Sequence, residues 1–284
     1  MVSARDRARG SLLGLAVGDA LGTTVEFQPR GSFEPLTDMV GGGPFGLEPG
    51  QWTDDTSMAL CLAESILEAR WDPVDQLTRY VRWWREGHLS STGTCFDIGN
   101  TVAQALRSFE QTGDQASGST DARSAGNGSI MRLAPVAIRY RASEGLLEKA
   151  AESSRTTHGA ATAVDACTYL AALVAGALAG RSKDELLEAS FFPFATTNEI
   201  AAVAAGSFRE KGRDEIRGSG YVVESLEAAL WALANSDGFE EGALLAVNLG
   251  DDADTTGAVY GQLAGALYGE EAIPDRWRSL LALR

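Results

Sequence analysis

Small and aliphatic residues recur three or four positions apart along most of the chain, the spacing that lines one face of an α-helix. The pattern predicts helices over residues 56–70, 73–86, 97–110, 146–154, 160–179, 183–190, 197–206, 221–235, 239–247 and 255–268. Nearer the start the row is made of glycines: Gly10, Gly14, Gly18 and Gly22 stand four apart, on a helix face that another backbone can approach closely. Alternating strand patterns closed by hairpin turns are hard to find. The expected fold is therefore all-α, a compact multi-helix bundle with Ala and Gly at its contacts. Trp83 and Trp84 read as packing residues.

Three stretches break the periodicity: residues 27–52, 111–129 and 207–220. Structureless segments of this length inside a compact domain are commonly functional. Each runs into a motif described below. None resembles a Ser/Pro-rich linker, and 284 residues can form one large core, so residues 1–284 are expected to make one domain.

Charge narrows the partners. Asp and Glu number 39 against 24 Lys and Arg, a net charge of −15, which argues against an electrostatic hold on nucleic acid or anionic lipid. The apolar stretch at residues 166–180 reads as too short to cross a membrane. Near the start, Arg residues precede a short apolar run, but Asp19 interrupts it and no small-residue cleavage site follows, so secretion is not expected. Cys61, Cys95 and Cys167 are widely spaced and odd in number, which disfavours a disulfide framework or a zinc site and fits a reducing cytoplasm. A monomer is the default expectation.

Two acidic elbows carry the candidate chemistry, "TDDT" at residues 53–56 and "DDADTT" at residues 251–256. Neighbouring residues on a helix point about 100° apart, so Asp54 and Asp55 cannot share a face in mid-helix. They are expected in the turn leading into a helix, as are Asp252 and Asp254. Either cluster alone reads as an N-cap, a position that favours Asp and Thr. Two clusters, each with more acid than a cap uses, point instead to divalent cations. With only two histidines, His88 and His158, in the chain, an all-oxygen ligand shell suits magnesium or manganese. Paired cations of this kind can hold vicinal hydroxyls and activate a water between them.

Seven blocks carry a family resemblance: "GSLLGLAVGDALGTTVEF", "WTDDTSMAL", "CFDIGNTV", "AGNGSIMRLAPVAI", "SRTTHG", "GSGYVVESLEAALWAL" and "NLGDDADTTGAVYGQLAGALYG". In this order they resemble the ADP-ribosylglycohydrolases, the family of dinitrogenase reductase-activating glycohydrolase and the ADP-ribosyl-acceptor hydrolases. The resemblance implies an all-α fold of orthogonally packed helices and a centre of two Mg2+ or Mn2+ ions that grips ADP-ribose. The bond cleaved would join ADP-ribose to an acceptor side chain, most plausibly arginine, on a modified protein or a small ADP-ribose conjugate.

By the same resemblance, Thr53, Asp54, Asp55, Asp252, Asp254 and Thr255 would be metal ligands, with Asp251 outside the set. Glu26 would lie beside the metals and the reacting ribose, and Asp97 on the acceptor side, as the candidate catalytic acids. Asn127, Gly128 and Ser129 would contact the diphosphate and ribose, their Gly-rich turn being of the kind that offers backbone N–H groups to a diphosphate, and His158 would lie near the ribose. Tyr221 would stack on adenine. Serine-linked, nucleotide-linked or free ADP-ribose derivatives are the alternative substrates, and a non-catalytic ADP-ribose-binding or crystallin-like protein is the alternative class.

Overall fold

The computed structural model describes residues 2–283. Thirteen α-helices carry the fold, with short 3-10 turns between some of them and no strand among the described residues. They are α1 Ala4–Gly22, α2 Asp54–Glu68, α3 Pro73–Glu86, α4 Asn100–Thr112, α5 Ala134–Tyr140, α6 Leu146–Arg155 and α7 Ala161–Leu178. The remainder are α8 Lys183–Leu187, α9 Asn198–Ala204, α10 Val222–Ala234, α11 Phe239–Val247, α12 Ala253–Tyr268 and α13 Asp275–Arg278.

The glycine row found its partner. A Cβ added at Gly10, Gly14 or Gly18 would collide with the backbone of Gly265, Gly261 or Gly257, and one at Gly22 with that of Ala253. α1 and α12 therefore run antiparallel with their backbones in contact, through matching four-residue glycine rows on both helices. The Ser11 hydroxyl adds a hydrogen bond to the Gln262 carbonyl at 2.8 Å. This contact sets the last turn of α1 beside the first turn of α12, where the acids stand.

Helices α3 and α11 occupy the stretches that periodicity predicts. α2 and α12 begin two residues earlier than expected, because Asp54, Asp55 and Asp254 lie within the first turn, while Asp252 caps α12 from outside. α4 begins three residues later: Gly99 caps it, and Asp97 sits at φ 58°, outside any helix. α8 stops at Leu187, where Glu188 turns extended. α5 and α13 were not anticipated; they are seven and four residues long, too short to build a periodic signal.

α7 corrects one expectation. At 18 residues and mean hydropathy 1.6 it is long and apolar enough to cross a membrane. Its placement is that of a core helix: 67% of it is buried, against α5, α6, α10 and α12. The three cysteines are unpaired.

Candidate active site

The acids gather where three chain segments meet. Asp19 lies in the last turns of α1, and a 3-10 turn, Thr23–Val25, then delivers Glu26. Asp54 and Asp55 are the first two residues of α2, with Thr53 at its N-cap; Asp252 is the N-cap of α12, with Asp254 and Thr255 in its first turn. Asp54, Asp55 and Asp254 are thus helical, not in preceding turns, and the positive end of each helix faces the cluster.

Capping does not account for them. Neither Thr53 nor Asp252 makes a side-chain cap hydrogen bond. The Thr53 hydroxyl instead lies 2.9 Å from Asp19 Oδ1, 3.1 Å from Asp254 Oδ2 and 3.3 Å from Asp55 Oδ2. One hydroxyl proton serves one of the three at a time. Asp55 Oδ1 and Asp254 Oδ1 are buried without any partner.

Asp19, seen in the sequence only as an interruption of an apolar run, turns out to organise the elbow. Its carboxylate accepts from the Thr53 and Thr56 backbone N–H groups at 2.9 and 3.0 Å and from the Thr56 hydroxyl at 2.6 Å. It pins the start of α2 to α1. The available signal was an acid embedded in a glycine-lined helix, a position where charge is costly unless it has work to do.

Among the described residues no cationic side chain offsets Asp54, Asp55 or Asp254. Burial first, and then neighbouring carboxylates, hold Asp54, Asp55 and Asp254 well above the ordinary aspartate range. Glu26 is pushed up to about 10 by burial and by Asp97, Asp252, Asp55 and Asp19. Asp97 is pushed up to about 7 by burial, Asp252 and Asp19. Two groups bring carboxylate oxygens within 4.8 Å of one another: Glu26, Asp97 and Asp254, and Asp54, Asp55 and Asp254. Asp254 belongs to both. Unpartnered buried oxygens in an oxygen-only set are what a pair of hard divalent cations fits.

A cavity of about 610 Å³ opens over the cluster, within the usual size of small-molecule sites. Glu26, Asp54, Asp97, Asp252, Asp254 and Thr255 form its acidic side, and Gly126, Asn127, Gly128, His158 and Gly220 face them. Thr53 and Asp55 are buried but do not line it.

Across residues 1–284 the chain matches the family model described as ADP-ribosylglycohydrolase. The chain belongs to the ADP-ribosylglycohydrolase family. It is 50% identical over 277 residues to ADP-ribosylarginine hydrolase Tri1 of Pseudomonas putida (strain GB-1), covering 96% of this chain and 74% of that one. It is 33% identical over 290 residues to the ADP-ribosyl-[dinitrogen reductase] glycohydrolase of Rhodospirillum rubrum, covering 99% and 92%. A solved structure titled "ADP-ribosylglycohydrolase-related protein complex" superposes with TM-score 0.90 at 48% identity, covering 100% of this chain and 94% of that one.

Not every residue expected from the ADP-ribosylglycohydrolase resemblance reaches the cavity. Ser129 is buried and its hydroxyl accepts from Ser154 at 3.1 Å; Tyr221 caps α10 and is 39% exposed; neither lines the wall. Asn127 does line it, but its amide donates to Asp252 Oδ2 at 2.7 Å and its backbone N–H to Gly220 O at 3.1 Å. Asn127 thus steadies an elbow acid, and its N–H is not free for a diphosphate. Gly128 fits where the His158 ring lies close: a Cβ there would stand 2.7 Å from His158 Cε1.

His158 has an assignable tautomer. Buried Arg132 donates to the Thr157 hydroxyl oxygen at 2.7 Å, and that hydroxyl lies 2.9 Å from His158 Nδ1. With Arg132 donating to its oxygen, the Thr157 hydroxyl is free to give its own proton to Nδ1, and on that arrangement we assign the ring proton to Nε2. Burial, and then the Arg132 charge, push the imidazole down to about 3. His158 therefore offers the cavity a neutral N–H donor.

Proposed function

We propose that this chain is a divalent-cation-dependent hydrolase that releases ADP-ribose from an acceptor side chain, arginine foremost, and so reverses mono-ADP-ribosylation. The observation that carries the reading is the cluster of buried carboxylates, two of whose oxygens have no partner, beside a cavity of about 610 Å³. The names of the relatives, ADP-ribosylarginine hydrolase among them, support the acceptor.

Asp54, Asp55, Asp252 and Asp254, with Thr53 and Thr255, would hold two cations, Mg2+ or Mn2+. Bound there, the cations would neutralise the acids, hold the ribose hydroxyls and make a water more acidic. The protein's own groups do the rest. Hydrolysis at an anomeric carbon builds positive charge on the ribose, and the surrounding carboxylates stabilise it. Glu26 and Asp97 stand on the cavity wall, where a carboxyl group can exchange a proton with water or a leaving group. Asp19 and Asn127 keep the elbow acids in place, and His158 donates to the substrate's oxygens.

Release of ADP-ribose from arginine-modified and serine-modified protein, each with Mg2+, with Mn2+ and with EDTA, tests this reading. Cation-dependent release from the arginine-modified protein is expected. No release from either, with ADP-ribose still bound, would make the chain a binding protein or a hydrolase of another linkage.

A further inference from the structure

Beside Glu26 on the cavity lining stands one phenylalanine. Phe27 is the one Phe, Tyr or Trp among the described residues lining the cavity, and it is 63% exposed. A single exposed phenylalanine needs no explanation by itself. This one, however, is held at φ 61°, a left-handed conformation rarely adopted by a bulky side chain. Two reciprocal hydrogen bonds impose it: the Phe27 N–H donates to Asp251 O at 2.7 Å, and the Asp251 N–H to Gln28 O at 2.9 Å. Asp251 is itself at φ 56°. Such strain persists where the surroundings over-determine it, and it concentrates at functional sites.

Two further loops support the ring. Phe45 meets Phe27 edge-on with ring centroids 6.4 Å apart, and Phe96 packs on Phe45 at 5.1 Å. Phe45 is carried on a tight turn closed by mutual hydrogen bonds between Gly42 and Leu47 at 2.7 and 2.9 Å. The turn is docked on the 3-10 segment before Glu26 through the Thr24 hydroxyl and Gly41 O, 3.0 Å apart. Phe27 follows Glu26 in the chain and Phe96 precedes Asp97, so these two rings and the two cavity acids come from the same loops.

We propose that Phe27, backed by Phe45 and Phe96, is the acceptor-recognition surface, on which a planar cationic group such as a guanidinium stacks while its edge faces Glu26 and Asp97. This rests on the arginine-directed hydrolase reading above and adds the residue that would select the acceptor. A guanidinium presents a flat face to an aromatic ring and N–H donors to carboxylates, a combination that a serine linkage lacks.

The test uses the full chain with Mg2+ and three variants, Phe27→Leu, Phe27→Tyr and Phe27→Gly. The readouts are KM and kcat on ADP-ribosylarginine, ADP-ribose affinity by calorimetry, and melting temperature. Phe27→Leu is expected to raise KM for ADP-ribosylarginine roughly 3- to 30-fold, the range of a cation–π contact, with ADP-ribose affinity unchanged. Phe27→Tyr should restore KM. Phe27→Gly suits the left-handed backbone, so it should fold whatever leucine does and show the same KM defect. An unchanged KM in the Leu and Gly variants, or an equal loss of ADP-ribose affinity, would overturn the proposal while leaving the hydrolase reading intact. A wild-type chain that does not turn over ADP-ribosylarginine would remove the arginine reading, and this proposal with it.

Discussion

A buried imidazole next to a buried guanidinium is an unusual pairing, and its consequence is a fixed donor. Arg132 spends its N–H groups on the Tyr80 hydroxyl, the Gly128 carbonyl and the hydroxyls of Thr156 and Thr157. Through Thr157 it determines which nitrogen of His158 carries the proton. A histidine with folded pKa depressed to about 3, against 6.5 unfolded, contributes stability that is present above pH 6.5 and is lost as the pH falls toward 3. Because the chain has two histidines, proton NMR can follow both rings. The signal that disappears in His158→Gln should keep its neutral position from pH 8 to pH 5. Titration of that signal near 6.5 would refute the buried donor. Thr157→Val should weaken ADP-ribose binding by roughly 3- to 10-fold, the value of one hydrogen bond, as isothermal calorimetry would measure.

At the scale of elements, the α1–α12 contact decides whether the site exists. Asp19 and Asp254 stand at the end where the two glycine rows finish, so a spacer between the helices moves one acid away from the other. Gly18→Ala places a methyl group against the Gly257 carbonyl, and overpacking of this kind costs roughly 1–3 kcal/mol. Thermal melts should show that loss together with weakened cation binding. Gly238→Ala should change little, since a Cβ there meets nothing within 4 Å. The row on α1 was legible because four-residue spacing is a purely local pattern. Its partners Gly257, Gly261 and Gly265 have the same spacing, but no single sequence states which two rows meet. The acidic elbows were legible for the same local reason, although helix starts that include the acids shifted their boundaries by two residues. The amide of Asn127 on Asp252 joins positions 125 residues apart, and Phe27 sits in a loop without periodicity. Neither leaves a mark that spacing rules detect.

Seen as a whole, the molecule concentrates part of its negative charge at a single buried point, assembled from residues between Asp19 and Thr255. The cluster is a liability to the metal-free fold, because buried like charges disfavour the ionised state of one another. A ligand that binds only the folded chain stabilises it by RT ln(1 + [L]/Kd), about 2.7 kcal/mol at a hundredfold excess over Kd. Mg2+ or Mn2+ should therefore raise the melting temperature in proportion to the logarithm of its concentration, and EDTA should abolish the gain. Asp254→Asn separates the two halves of this argument, since Asp254 is shared by both carboxylate groups. Removing its charge should leave the EDTA-treated protein as stable as the wild type or more stable, yet erase the response to cation. A variant that melts lower in EDTA would mean that Asp254 supports the fold by itself. A variant that still responds fully to Mg2+ would place the cations away from Asp254.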